Sequence, residues 1–162
     1  TTGDELWRHL VTDGAPSRRG VAYWAGSDTE GPRIIFTSGR RLVALDGVTG
    51  APATSFGQGG EIDMVIPYNS VPLVFENIVV VGANTPRGAI GGIGNARAFD
   101  IRTGDILWRT RLPLMTNGYP ITYAVDGRQY VGVSTGTVRF NDLTPELRPS
   151  QGNNLFVFAL PE

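Results

Sequence analysis

"ARAFDIRTGDILW" (Ala96–Trp108) decides the fold, because the chain writes its skeleton more than once. Ala, a large apolar residue, Asp, two variable residues and Thr-Gly recur in "LVALDGVTGAPATSF" (Leu42–Phe56). The chain starts part-way through the phrase with "TTGDELW" (Thr1–Trp7), and "LFVFALPE" (Leu155–Glu162) reads as its front half. Thr2-Gly3, Thr49-Gly50 and Thr103-Gly104 therefore mark one recurring turn, about 47 and 54 residues apart. Each residue type has a physical job there. Ala44 and Ala98 are small where a neighbouring sheet packs closely. The carboxylates of Asp46 and Asp100 accept from the backbone two residues on and start the turn. Gly50 and Gly104 take the positive φ of a tight hairpin. Trp7 and Trp108 offer a flat apolar face for wedging between layers, with an indole N–H that needs an acceptor. The middle copy brings its aromatic two residues late, as Phe56.

Around these marks lie short apolar runs bounded by Gly, Asp, Asn or Pro, the punctuation of strands between turns. They are "GVAYW" (Gly20–Trp24), "RIIFTSG" (Arg33–Gly39), "RLVALD" (Arg41–Asp46), "VPLVFEN" (Val71–Asn77) and "IVVVGAN" (Ile78–Asn84). "NARAFD" (Asn95–Asp100), "DILWRTRL" (Asp105–Leu112), "YPITYAV" (Tyr119–Val125), "RQYVGVST" (Arg128–Thr135) and "NLFVFAL" (Asn154–Leu160) complete the set. No window of a dozen residues keeps helical apolar spacing without a Gly or Pro interrupting it. The fold class is all-β. Three strand candidates lie between successive marks, and the segment after each mark supplies a fourth. Four strands per unit of ~40–50 residues is the period of a β-propeller blade. The expectation is one propeller-like domain over residues 1–162, with about three four-stranded blades roughly at 1–49, 50–103 and 104–162. "ALPE" followed by "TTG" would restore the phrase, so the carboxy-terminal strand is expected to pair beside the strand after Thr2-Gly3 and close a ring. Closed propellers typically hold ~4–8 blades, which a lone three-blade ring would not reach.

Composition narrows the function classes. A formal net charge of −1 gives no electrostatic case for nucleic acid or an anionic membrane surface. The doublets Arg18-Arg19 and Arg40-Arg41 read as solvated faces or loops. Without cysteine there are no disulfides and no thiolate metal sites. No apolar run approaches the ~20 residues that span a bilayer, and the amino terminus carries no signal-peptide pattern.

Individual candidates are sparse. His9, the single histidine, follows Trp7 in an expected strand and reads as structural or exposed rather than as a base. One histidine and no cysteine make transition-metal chemistry a poor reading. No Gly-x-Ser-x-Gly elbow offers a serine nucleophile. "GAIGGIGNARAFD" (Gly88–Asp100) is glycine-rich, but a dinucleotide loop must open a helix, and this one runs into a strand. A hairpin loop at the mouth of a propeller funnel is the better account. Glu61, Asp63 and Glu76 are scattered acids that read as solvated.

Several longer segments are similar to one family. "APSRRGVAYW" (Ala15–Trp24), "RIIFTSGRRLVALDGVTGAPATSFGQGGEIDM" (Arg33–Met64), "NSVPLVFENIVVVGANT" (Asn69–Thr85), "PITYAVDGRQYVGV" (Pro120–Val133) and "NNLFVFALPE" (Asn153–Glu162) resemble quinoprotein dehydrogenases that use pyrroloquinoline quinone (PQQ). Those enzymes are eight-bladed propellers with tryptophan-docking phrases of the same kind. The resemblance covers nearly the whole chain, but only the beginning and end of that propeller. The join falls in or near Ala96–Pro113, and about five middle blades are missing.

The resemblance implies PQQ with calcium in the funnel at the propeller axis, and oxidation of a sugar or alcohol CH–OH group with electrons passing to a quinone or other acceptor. It places Arg19 at the pocket arginine, Ser70 where a hydroxyl meets the cofactor, and Asn84 and Thr85 in the loop approaching the quinone or ion. The family's catalytic aspartate and most calcium ligands come from the middle blades, so no catalytic base and no metal ligand is identified in this chain. Pro16 and Ser17 stand where the alcohol-oxidising branch has a cysteine pair, and Arg87 stands near the place of its calcium-ligating glutamate. The implied location is periplasmic or membrane-associated. The rival reading is a non-catalytic assembly module. Raw sheet edges invite pairing with another chain, and two such chains would make a six-bladed ring as a homo-oligomer.

Overall fold

The computed structural model describes residues 3–83, 94–113, 116, 118–136 and 154–159. Three antiparallel sheets follow one another along the chain. The first runs β1 (Ala22–Trp24), β2 (Arg33–Ser38), β3 (Arg41–Asp46) and β4 (Glu61–Asp63), each paired with the next. The second repeats that order with β5 (Leu73–Phe75), β6 (Ile78–Val81), β7 (Gly94–Asp100) and β8 (Ile106–Leu112). The third holds β9 (Ile121–Val125), β10 (Arg128–Thr135) and β11 (Asn154–Ala159), with β10 in the middle. The class is all-β, as the periodicity demands, and four-stranded meanders in series are propeller blades. β4 escapes the sequence reading because three residues, two of them charged, are too short a run to establish a period.

The repeated phrase builds the turns as its chemistry requires. Asp46 Oδ1 accepts from the Val48 and Thr49 amides at 2.9 and 2.7 Å, and Asp100 Oδ1 from the Arg102 amide at 2.8 Å. Gly50 and Gly104 sit at φ 72° and 79°. Asp126-Gly127, both at positive φ, closes the β9–β10 hairpin.

Packing between sheets follows from the strand period of two. One face of the first sheet (Ala22, Trp24, Ile35, Leu42 and Ala44) meets Val79, Val81 and Phe99 of the second. The opposite face of the second sheet (Val80, Ala96, Ala98 and Leu112) meets Val131 and Val133 of the third, with Trp108 and Phe158 flanking at a centroid distance of 4.9 Å. Both alanines of the phrase are buried, as close sheet approach needs.

The aromatics of the first two phrases dock on the turn of the next. Trp7 lies so close over Gly50 that a Cβ there would come within 2.4 Å of its ring, and Trp7 Nε1 donates to Gly47 O at 3.3 Å. Phe56 is fully buried, and the following Gly57 amide donates to Thr103 O at 2.8 Å. Arg33 reinforces this junction. Its buried guanidinium donates to Ile101 O and Arg102 O at 2.6 and 2.8 Å, to Glu30 Oε1 and Ser55 Oγ at 2.6 Å each, and lies over the Trp24 ring.

The amino-terminal segment departs from expectation. Residues 3–12 are not a strand, so His9 does not sit in one, although Trp7, His9 and Val11 alternate inward with Leu6, Arg8 and Leu10 outward. Among the described residues β11 pairs with β10 alone, and the expected pairing beside the segment after Thr2-Gly3 is not made. A strand needs a partner's backbone, and the segment lies against the face of the first sheet instead, where Trp7 and Val11 cover Phe36, Val43 and Leu45. Among the described residues no helix is long and apolar enough to cross a membrane.

Candidate functional site

Arg19 and Ser70, two of the residues singled out by the sequence, lie where segment 15–19 crosses the end of β2 and meets the loop from β4 to β5. Ser17 ties the three together. Its amide donates to Thr37 O at 2.9 Å, its hydroxyl donates to Asn69 O at 2.8 Å, and the same oxygen accepts from the Arg19 amide at 3.2 Å. Gly20 follows at φ 124°, where a Cβ would press on Val71. Arg19 is thereby held next to the Ser70 loop with its side chain in solvent. A cleft of about 290 Å³ opens here, rimmed by Pro16, Ser17, Arg18, Arg19, Thr37 and Asn69.

Beside the cleft lies a buried polar pair. Ser70 is 1% exposed, its carbonyl accepts from Thr37 Oγ1 at 3.1 Å, and its own hydroxyl has no well-formed hydrogen bond. The buried Tyr68 hydroxyl has none either. Burial raises the Tyr68 phenol above its ordinary range, and the neighbouring Ser70 hydroxyl and the Arg19 charge pull it back. Buried polar atoms are nearly always satisfied, so two adjacent orphans mark a place where a ligand's donors and acceptors would fit.

The second sheet packs behind Tyr68. Arg97 on β7 is buried and donates to the carbonyls of Met64, Ile66 and Gly82. No carboxylate faces it in those bonds, and burial lowers its pKa to about 10. Thr116 Oγ1 accepts from the Ala83 amide at 3.1 Å and donates to Ala83 O at 2.9 Å. Gly82 is wedged between Thr116 and Tyr68, where a Cβ would meet Thr116 Oγ1 at 2.5 Å and Tyr68 Cε2 at 3.0 Å. The chain is thus clamped just before Asn84 and Thr85, which lie outside the described residues, as do Arg87 and the glycine-rich run up to Ile93.

The remaining candidates are accounted for by ion pairs and turns. Glu61 pairs with Arg41 at 3.1 Å and Asp63 with Arg40, so neither is a free acid and the arginine doublet is not simply solvated. Glu76 occupies a turn at φ 48°. Among the described residues no three His, Cys, Asp or Glu side chains come together to hold a metal ion. Sequence reasoning missed Tyr68, Thr116 and Arg97. The only signal was a charge between the two buried alanines of "ARAFD".

The sequence model of the family described as PQQ, the β-propeller domain of glucose/ethanol/alcohol dehydrogenase, matches residues 1–91 and 90–131. Quinoprotein glucose dehydrogenase of Gluconobacter oxydans (strain 621H) is 30% identical over 100 residues, covering 57% of this chain and 12% of that protein. 1-Butanol dehydrogenase (quinone) of Thauera butanivorans is 28% identical over 152 residues, covering 88% of this chain and 22% of that protein. The chain therefore spans less than a quarter of the length of either relative. Among solved structures, a quinohemoprotein alcohol dehydrogenase from Pseudomonas putida shares the fold with a TM-score of 0.53 at 22% identity, over 88% of this chain and 24% of that one.

Proposed function

The chain belongs to the PQQ β-propeller family of glucose/ethanol/alcohol dehydrogenases, and from that premise we propose that it binds PQQ and takes part in oxidising a sugar or alcohol CH–OH group, with electrons leaving to a quinone or other acceptor. The observation that carries this reading is the orphaned buried pair, Ser70 Oγ and Tyr68 OH, beside a cleft rimmed by Arg18 and Arg19. These residues fit an anionic, acceptor-rich cofactor. Arg19 would bind its negative groups, Ser70 and Tyr68 would donate to its oxygens, and Asn84 and Thr85 would complete the set. When bound, PQQ supplies the two-electron acceptor for the hydride of the CH–OH carbon. Among the described residues none is assigned as the base or as a calcium ligand. By the same family reading the protein works in the periplasm or at a membrane.

The test is a thermal melt with and without PQQ. A ligand present at 100 times its Kd adds about 2.7 kcal/mol to a folded state that alone binds it. At about 2–4 °C per kcal/mol for a domain of this size, the midpoint should rise by roughly 5–10 °C. Arg19→Ala should abolish the rise without lowering the ligand-free midpoint, since its side chain is exposed. A wild-type midpoint indifferent to saturating PQQ would overturn the proposal. A second reading, an assembly module, is favoured by the exposed apolar face of the third sheet, and the two readings are compatible.

A further inference from the structure

The loop from β4 to β5 contains a turn of an unusual kind. The Ile66 amide donates to Met64 O at 2.7 Å, closing a three-residue turn, and Val65 between them sits at φ 63°. That is the rare, strained form of this turn, whose common form has a negative φ. A β-branched residue at positive φ is a genuine outlier. Holding a non-glycine residue there biases the backbone against the turn by roughly 5- to 150-fold. Packing of the Val65 side chain does not offset this, because it is 69% exposed.

Arg97 meets the same turn from the second sheet. Its guanidinium donates to Met64 O and Ile66 O, the carbonyls flanking the strained residue, and to Gly82 O. Asp63 Oδ1 takes the Val65 amide at 2.7 Å. The arginine is itself costly to place. It is buried, its Nε makes no well-formed hydrogen bond, and among the described residues no carboxylate pairs with it. Across the β7–β8 pair it faces Arg109. A buried cation without a counter-charge and like charges on opposite strands both destabilise, so an apolar side chain would serve a plain core better.

Both costs fall next to the orphaned hydroxyls. Tyr68 comes two residues after Ile66, and its ring lies against Gly82, the third residue whose carbonyl Arg97 holds. Further on, the first sheet grips the loop by its carbonyls too, with Ser17 Oγ on Asn69 O and Thr37 Oγ1 on Ser70 O. The backbone from Met64 to Ser70 is thus pinned through its acceptors from two sheets, while the Tyr68 and Ser70 hydroxyls are left open. Strain that persists beside a binding site is a mark of pre-organisation.

We infer that Arg97 is a positioning residue: it clamps the strained turn at Met64–Ile66, and the clamped turn sets Tyr68 and Ser70 in the orientation a ligand meets. Without the guanidinium, Val65 relaxes to negative φ, the chain beyond it changes direction, and Tyr68 leaves its place against Gly82. The consequence for binding rests on the reading of Tyr68 and Ser70 as cofactor contacts, whereas the clamp is read without any ligand.

Nitration by tetranitromethane, mapped by mass spectrometry, reads the clamp on the ligand-free chain. Tyr23, Tyr119 and Tyr123 are between 40% and 60% exposed and serve as reactive standards, while Tyr68, at 1%, should be spared. In Arg97→Met, Tyr68 should react at a rate approaching theirs, and PQQ affinity should fall about tenfold or more as two hydrogen bonds are misplaced. Val65→Gly added to Arg97→Met supplies the positive φ without strain and should restore the shielding and most of the affinity. On the wild-type background the same change should leave both as they are, whereas two changes that merely loosen the fold would add. Val65→Pro, which fixes φ at about −65° at an exposed position, should reproduce the loss with Arg97 intact, and it carries the test if Arg97→Met does not fold. Tyr68 still spared in either variant, or left reactive when Val65→Gly is added, would overturn the inference. Shielding lost in both variants of a chain that takes no PQQ would refute the cofactor reading and leave the clamp standing.

Discussion

Arg33→Ala tests whether the junction between the first two sheets is held as described. The guanidinium is almost wholly buried and donates to two carbonyls of the Ile101–Arg102 turn, to Glu30 and to Ser55. Hydrogen bonds to charged groups are worth about 1.5–3 kcal/mol each, but four sharing one side chain do not add. The better guide is the cost of removing one partner from a buried ion pair, about 3–5 kcal/mol, because Glu30 and the turn carbonyls are left without donors. At about 2–4 °C per kcal/mol, the midpoint should fall by roughly 6–20 °C. Urea unfolding is the assay of choice, since a lower midpoint at unchanged slope isolates stability. Arg40→Ala is the internal control. Its pair with Asp63 is more than half exposed on both sides and should be worth no more than about 1 kcal/mol. If Arg33→Ala proved as mild as Arg40→Ala, the clamp would not be bearing the junction and the reasoning would fail.

Single contacts carry further expectations. Gly50→Ala should destabilise by about 1–2 kcal/mol from its positive φ alone, and by more from the 2.4 Å approach to Trp7, with tryptophan emission shifting red as the ring is displaced. Asp100 has its pKa lowered by Arg102 first and then by the turn amides. Its contribution is therefore fully present above the unfolded value of about 3.9 and is lost as pH falls through the folded value, so Asp100→Asn should flatten the acid limb of the stability profile while lowering stability at neutral pH. Tyr68→Phe removes a buried hydroxyl with no well-formed hydrogen bond, so the ligand-free midpoint should hold or rise, while PQQ affinity measured by titration should fall by up to about tenfold, the worth of one hydrogen bond of about 0.5–1.5 kcal/mol.

What the sequence disclosed depended on whether the cause was local. The Asp-x-x-Thr-Gly turns were legible because carboxylate, hydroxyl and glycine act within four residues of one another, and β10 was legible because its ends are set by Gly127 and by the residues after Thr135. β4 was not, since its pairing with Arg41–Val43 is dictated by the loop that returns it, not by its own three residues. Segment 3–12 misled for the converse reason: it has strand alternation but, among the described residues, no adjacent strand. At the site, Arg19 and Ser70 were found through resemblance, whereas Tyr68 lay hidden between Pro67 and Asn69 in what reads as plain loop. Its burial comes from the core between the first two sheets and from Gly82, distant in sequence, and no local pattern encodes that.

One departure in the repeat explains another feature of the core. Trp7 Nε1 donates to the carbonyl of Gly47, the residue just after the turn aspartate. The corresponding carbonyl in the next copy belongs to Ile101, and there the docking aromatic is Phe56, which has no N–H to give. Arg33 donates to that carbonyl instead, at 2.6 Å, and the Gly57 amide takes Thr103 O. The acceptor is fixed by the turn, and the donor is free to vary, so a buried carbonyl need not go unsatisfied when the tryptophan is lost. This also gives a physical reason for an arginine at this place in the first junction. A guanidinium reaches both turn carbonyls at once, and the indole it replaces reaches one.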